Sequence, residues 1–280
     1  MYQPSPARIA REAAAGRAAR RSALVAATST IVVALILYLA LTNAPGWDRV
    51  QTSFFSLDYA VSSLPDILRG LWLNLRVMLV SEVLILVLGL AIALARTSRS
   101  PVLFPLRFLA AAYTDVFRGL PLLLVIFLLG LGVPALRIEG LTNSVVVWGS
   151  AALVLTYSAY VAEVLRAGIE SVHPTQRMAA RALGLTPAQT TRHVVLPQAV
   201  RRVIPPLLND LVSLQKDSGL ISVLGAIDAI KAAAIITATS FNFTPYVTAG
   251  VVFVLLTIPL ARFTDWLTAR MNARQQAGIA

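Results

Sequence analysis

The residues that could do chemistry in this chain are polar side chains set inside otherwise apolar stretches. On a helix advancing about 100° per residue, Asn209, Asp210, Ser213, Lys216 and Asp217 fall within roughly a 120° arc. Leu207, Leu208, Leu211, Val212 and Leu214 cover the remaining surface. Thr156, Tyr160 and Glu163 share one face of an earlier stretch, with Arg166 one turn beyond Glu163 and in pairing range. Arg118 stands just before another apolar run. An ionisable group at the centre of a membrane helix costs about 2.5–3.5 kcal/mol on insertion scales unless it is paired or wet. Two readings follow: these groups line a path for a polar solute, or they neutralise one another. In the second, Glu163 pairs with Arg166 or Arg118, and Asp217 with Lys216 or a neighbour. For Glu163 and Arg118, pairing is the preferred reading.

Other chemistries lack their parts. The chain has no cysteine, which excludes disulfides, thiolate metal sites and cysteine nucleophiles. Its two histidines, His173 and His193, have no carboxylates at metal-ligand spacing. No Gly-x-x-x-x-Gly-Lys-Ser/Thr loop is present to cradle nucleotide phosphates. Nucleophile, base and metal constellations are missing, so an enzyme is not expected and no cofactor is expected in this chain.

The elements that position these residues are membrane helices. The 280 residues are 57% hydrophobic and only 13% charged, with mean hydropathy +0.74, against roughly 25% charged in a soluble domain. A crossing needs about 20 apolar residues, and six stretches qualify. They run near Ala23 to Leu41, Leu68 to Ala95, Leu106 to Val133, Ser144 to Arg166, Val203 to Leu224 and Thr244 to Thr264. The expected fold is therefore an all-α integral membrane protein of six helices. The basic residues set its orientation. With both termini inside, the inner segments hold Arg8, Arg11, Arg17, Arg20, Arg21, Arg96, Arg99, Arg107, Arg177, Arg181, Arg192, Arg201, Arg202, Arg262, Arg270 and Arg274. The outer segments hold Arg49 and Arg137. That placement explains the net charge of +11 without nucleic acid. Residues 1–22 read as a basic cytoplasmic tail and 23–43 as a retained anchor helix, because the apolar run outlasts a signal-peptide core and Pro45 spoils cleavage. Residues 68–266 form the main membrane domain, and 267–280 a short, frayed cytoplasmic tail.

Residues 171–202 form the one large inner loop, punctuated as two short helices. Pro174 opens the first and Gly184 closes it in the left-handed conformation. Thr186, Pro187 and Gln189 form a capping box for the second, which Pro197 ends. A helix over Pro187–Val195 is too short to stand alone in water. It packs either on this chain's own helix ends or into a partner.

At this loop the chain resembles the permease subunits of ATP-binding-cassette importers, in the branch for polar amino acids. That family's signature is Glu-Ala-Ala, three residues, Gly, nine residues, Ile-x-Leu-Pro. Here Met178-Ala179-Ala180, Gly184 and Val194-Val195-Leu196-Pro197 keep every spacing. Tyr160 to Ile169, Leu196 to Ala199, Leu214 to Ser218 and Phe117 to Pro121 are similar to the same branch, so the resemblance spans about Leu68 to Met271. Met178 replaces the signature glutamate, and Thr175 stands where glycine is usual. Val125 replaces a glutamine common in the branch, and Ser218-Gly219 stands where Thr-Ser is usual.

The resemblance implies a type I importer core of five helices plus one extra N-terminal helix, in a bacterial plasma membrane. It implies a coupling helix at Ala180–Pro197 lodged in a cytoplasmic ATPase. There Met178, Ala179, Ala180, Gly184, Thr186, Arg192, His193, Val194, Leu196 and Pro197 would carry the contact, with Val194 to Leu196 as apolar anchor. It also implies two ATPase subunits binding ATP and Mg, a second permease that is either the same chain or a paralogue, and an extracytoplasmic solute-binding protein. Arg118, Tyr160, Glu163, Asn209, Ser213, Lys216 and Asp217 would then face the ammonium and carboxylate of an amino acid. The alternative is a secondary transporter or channel working without ATP. Of the smaller features, Asp228 and Lys231 read as an i,i+3 pair on a short surface helix. Trp47, Trp72, Trp148 and Trp266 read as interfacial anchors, and Gly130 and Gly132 as points of close helix approach.

Overall fold

The computed structural model describes residues 6–98 and 100–277, and the side chains of 19–98, 100–271 and 273. Arg99 and the side chains of Arg8, Arg11, Arg17 and Arg274 lie outside the described residues. The described chain is helical with no strand, and divides into two units, 1–55 and 56–280. The first unit holds α1 (Pro6–Thr42) and α2 (Trp47–Phe54). Leu24, Ile31, Leu35, Ile36 and Leu39 of α1 are all exposed. Such a surface is stable only where the surrounding solvent is hydrocarbon.

The second unit begins with α3 (Leu57–Thr97), a helix of 41 residues. Its buried positions Ile67, Gly70, Asn74, Val77, Ser81, Ile85, Gly89 and Ile92 recur every three or four residues. They form one stripe facing the bundle. This stripe packs on α7 (Val145–Glu170), where Gly149, Ala152, Ala159 and Ala162 let neighbouring helices approach closely. Val77, Met78 and Ile85 of α3 meet Leu153, Tyr157 and Val161 of α7 and Leu214 of α10 (Leu196–Asp217) in the central core.

The expected third crossing is not straight. α4 (Phe104–Gly119) stops at Leu120, which is extended at φ −88° and ψ 137° because Pro121 follows. The chain then turns by 104° into α5 (Leu122–Phe127), a π-turn over Leu128–Gly132 and α6 (Val133–Ala135). Within the π-turn a side chain at Gly130 would collide with Leu224, as a close approach requires, whereas Gly132 has open space beside it. Val125, buried with Ile126, Ala152 and Leu224, is part of this packing.

The fifth crossing also differs from a single run. After α10 come 3-10 turns over Ser218–Leu224, left-handed Gly225, and a second helix, α11 (Ala229–Ser240), bent by 47° from the first. α12 (Thr244–Ala277) closes the fold and continues as helix through Ala277, past the expected fraying after Arg270. Among the described residues four stretches are long and apolar enough to cross a membrane, or six when each bent pair counts as one.

Asp228 is the clearest correction to the sequence reading. It is fully buried rather than on the surface, and it accepts 2.8 Å from its own helix at the Lys231 N–H. Asn74 Nδ2 donates to Asp228 Oδ2 at 3.0 Å and to the Ser218 carbonyl at 3.1 Å, while its Oδ1 accepts the Ala229 N–H at 3.2 Å. One turn earlier, any Cβ at Gly70 would strike the Asp228–Ala229 backbone. Gly70 and Asn74 thus cut a notch in α3 that holds the bend between α10 and α11. Asn74→Ala strips a buried carboxylate and a buried carbonyl of their donor, at a cost of about 3 kcal/mol. Thermal unfolding of the detergent-purified protein is expected to show a midpoint several degrees lower, and an unchanged midpoint would refute this role for the notch.

Candidate functional site

The inner loop starts with α8 (Pro174–Ala182), capped by the His173 ring, which accepts the Thr175 N–H at 3.3 Å. Gly184 ends it at φ +86°. The Gly184 N–H reaches the Arg181 carbonyl at 3.0 Å and the Leu185 N–H reaches that of Ala180 at 3.2 Å. This is a complete Schellman closure. Thr186 then opens α9 (Pro187–Thr190): the Gln189 N–H donates to Thr186 Oγ1 at 3.3 Å, and the Thr186 N–H to Gln189 Oε1 at 2.9 Å. Both caps stand where the residue spacing places them.

Pro197 does not end the second helix. A π-turn over Thr191–Val195 carries α9 straight into α10, with Pro197 in its first turn. The proline lacks an N–H but is tolerated there, and the Gln198 side chain donates to the Val194 carbonyl at 3.0 Å. Val194 to Leu196 is therefore not one outward anchor: Val195 is buried, Val194 half-buried and only Leu196 exposed. Ala180 is also buried. The most exposed large apolar groups of the loop are Met178 and Leu183, at 61% and 84%, beside exposed Ala179, Gly184, Arg192 and His193. Leu183 escaped the sequence reading, although a large apolar residue just before a left-handed glycine sits at the tip of a helix end.

The base of the loop is tied down at both sides. Arg177 donates to the Ile169 carbonyl at 2.6 Å, and Arg202 donates to the Ser171 carbonyl. Gly168 has its Cβ position filled by the Val203 side chain, so α7 and α10 touch where the loop leaves them.

Glu163 anchors the second group. Its carboxylate accepts from Arg96 at 2.7 Å and from Arg166 at 2.5 Å, with Arg118 at 3.9 Å. The expected partners are present, and Arg96, read from the sequence as a loop cation, adds a third. Arg166 also pairs with Glu170. Tyr160 lies under the Arg118 guanidinium, 5.8 Å from ring centroid to Cζ, and its hydroxyl reaches the Arg118 carbonyl at 3.4 Å. The structure thus brings Arg118, Tyr160 and Glu163 together.

The α10 row divides instead of forming one face. Asp217 accepts from the Tyr157 hydroxyl at 2.7 Å, and Tyr157 is 6.5 Å ring to ring from Tyr160. Lys216 turns to the other side, into a cavity of about 330 Å³ lined by Ile230, Phe253, Val254, Thr257 and Ile258. Among the described residues Lys216 has no ion-pair partner, so it does not neutralise Asp217. Asn209 is exposed and Ser213 half-buried, and Asp210 keeps Oδ2 buried without a hydrogen-bond partner among the described residues. Beside this row, Gly219 admits Ile230: a side chain there would meet Ile230 Cδ1 at 2.8 Å. Tyr157 was the residue missing from the sequence-derived set. Its neighbour Thr156, chosen for that face, is buried with no partner for its hydroxyl among the described residues.

A tied, capped loop with an apolar tip, joined to a membrane bundle with interior charges, belongs to a known architecture. Residues 85–273 match the family described as binding-protein-dependent transport system inner membrane component. The chain belongs to this family. It is similar to the probable glutamine ABC transporter permease protein GlnM of Bacillus subtilis (strain 168), at 36% identity over 66% of this chain and 84% of that one. The arginine transport system permease protein ArtQ of the same organism is 33% identical over 73% of this chain and 93% of its own length. Among solved structures, a chain from the crystal structure of an amino acid ABC transporter with histidines superposes with TM-score 0.70. That match has 31% identity and covers 77% of this chain and 98% of the other. A chain of the inward-facing methionine ABC transporter MetNI, at 20% identity and TM-score 0.58, shares the fold. The protein is accordingly a multi-pass inner-membrane permease subunit of an ATP-driven importer and not an enzyme. ATPase chains, a solute-binding protein and a second permease complete such a system, and the reading of an ATP-independent channel is not favoured.

Proposed function

We propose that this permease moves polar amino acids inward, with both chain termini on the cytoplasmic side and the 171–202 loop seated in a cleft of an ATPase. Two ATPases bind ATP and Mg, and two permeases, identical or paralogous, enclose the path. The observation that carries the reading is the loop itself: a helix closed by Gly184, presenting Met178 and Leu183, and tied at its base to both α7 and α10. Together Met178 and Leu183 give this tip an exposed apolar surface suited to a protein contact. The ties pass its movement to the membrane helices as a rigid-body change. Tyr157, Asp217, Tyr160 and Arg118 supply a polar strip for the solute, and the amino acid substrates named for GlnM and ArtQ agree with that chemistry.

The chain has no cysteine, so Leu183→Cys creates a unique thiol. In the assembled importer, a maleimide–benzophenone reagent attached to this thiol is expected, on irradiation, to join the residue to the ATPase chain and to halt uptake of labelled glutamine or arginine. A thiol that reacts freely but never captures an ATPase would defeat the proposal.

A further inference from the structure

The face of α3 opposite its buried stripe carries Arg69, Trp72 and Arg76, spaced so that all three point the same way. Arg69 has an acid, Asp66, at 2.9 Å. Arg76 has none. Its guanidinium lies 6.0 Å from the Trp72 ring centroid, and among the described residues it makes no hydrogen bond or ion pair. Two open clefts meet at this residue, sharing Leu73 and Arg76 as lining. The one toward α7 measures about 590 Å³ and is walled by Val77, Val80, Leu84, Val147 and Val154. The other, toward α11, measures about 300 Å³.

The larger cleft has the size of a ligand pocket, within roughly 300–1,000 Å³, yet its chemistry is one-ended. No carboxylate lines it, and its other polar side chain, Ser150, already donates to the Val146 carbonyl at 2.7 Å. An occupant must bring an anion for Arg76 and a long apolar body for the valines. An amino acid would leave its ammonium without an acceptor there. The surrounding bilayer supplies an amphiphile of the required form at high concentration, and a phosphate headgroup is an acceptor that a guanidinium can pair with.

We propose that this cleft holds an acyl chain of an anionic phospholipid whose phosphate sits on Arg76. Native mass spectrometry of the purified importer, exchanged into nanodiscs with equal phosphatidylglycerol and phosphatidylcholine of matched chains, tests it. Wild type is expected to retain phosphatidylglycerol at least tenfold over phosphatidylcholine. Arg76→Gln is expected to bring the two to parity with the permease pair intact, and Val147→Trp, which fills the cleft, to lose both. Parity in wild type, or a preference untouched by Arg76→Gln, overturns the proposal. So does dissociation of the permease pair by Arg76→Gln with lipid retention unaltered, which would assign Arg76 to the subunit contact. Should Arg76→Gln not assemble, Val147→Trp decides alone, and a surviving preference in that variant is the overturning result.

Discussion

Gly184→Val is expected to abolish uptake while leaving the protein in the membrane at wild-type abundance. At φ +86° the position lies in the left-handed region, where an L-residue costs about 1–2 kcal/mol and a β-branched one more. The two Schellman bonds from Gly184 and Leu185 hold only in that conformation. Yet among the described residues, apart from its two chain neighbours, nothing lies within 4 Å of where a Cβ would sit. The bundle itself is therefore undisturbed, and the damage falls on the direction in which Leu183 and Met178 point. Gly184→Asn separates the two possible causes, because asparagine tolerates the left-handed conformation. Uptake retained in Asn and lost in Val identifies the backbone as the cause. Equal loss in both identifies crowding against the ATPase. Full uptake in both would show that the loop does not drive transport.

The second large effect is expected at Glu163. Removing its charge leaves Arg96, Arg118 and Arg166 facing one another around a site where Arg96 and Glu163 are only 16% and 23% exposed. Uncompensated buried charges cost about 3–5 kcal/mol and exposed pairs about 1 or less, so this half-buried case lies near 2–3 kcal/mol. Glu163→Gln should unfold several degrees lower in a thermal ramp. Arg96→Gln in the same chain should restore part of the loss, since the two residues share one interaction. Losses that simply add would show that Arg96 and Glu163 act independently.

The caps of the inner loop were legible because proline, threonine, glutamine and left-handed glycine each impose a local geometry that needs no neighbour. The crossings were legible as apolar lengths, but their breaks were not. Pro121 bends the chain by 104°, whereas Pro197, Pro205 and Pro206 are absorbed into helix. What separates these cases is the residue before the proline: Leu120 is extended, as the local bias favours, whereas Leu196 stays helical behind a π-turn. Asp228 was misplaced for a similar reason. Its i,i+3 spacing to Lys231 suits a surface pair and a helix cap equally well, and only Asn74, 154 residues away in sequence, decides between them. The α10 row was read as one face because helical periodicity locates residues on a cylinder. It does not say that α7 takes Asp217 while α11 and α12 take Lys216.

The Gly70–Asn74 notch has a mechanical consequence. It grips the chain just beyond the far end of α10, while the near end continues through the π-turn into α9, next to the tip proposed to meet the ATPase. α10 is 22 residues long, so a swing of roughly 10° about that grip carries its near end through about 6 Å. Under the proposed coupling, the notch would be the fulcrum of the stroke. A looser fulcrum would let nucleotide be consumed with the far half of the crossing standing still.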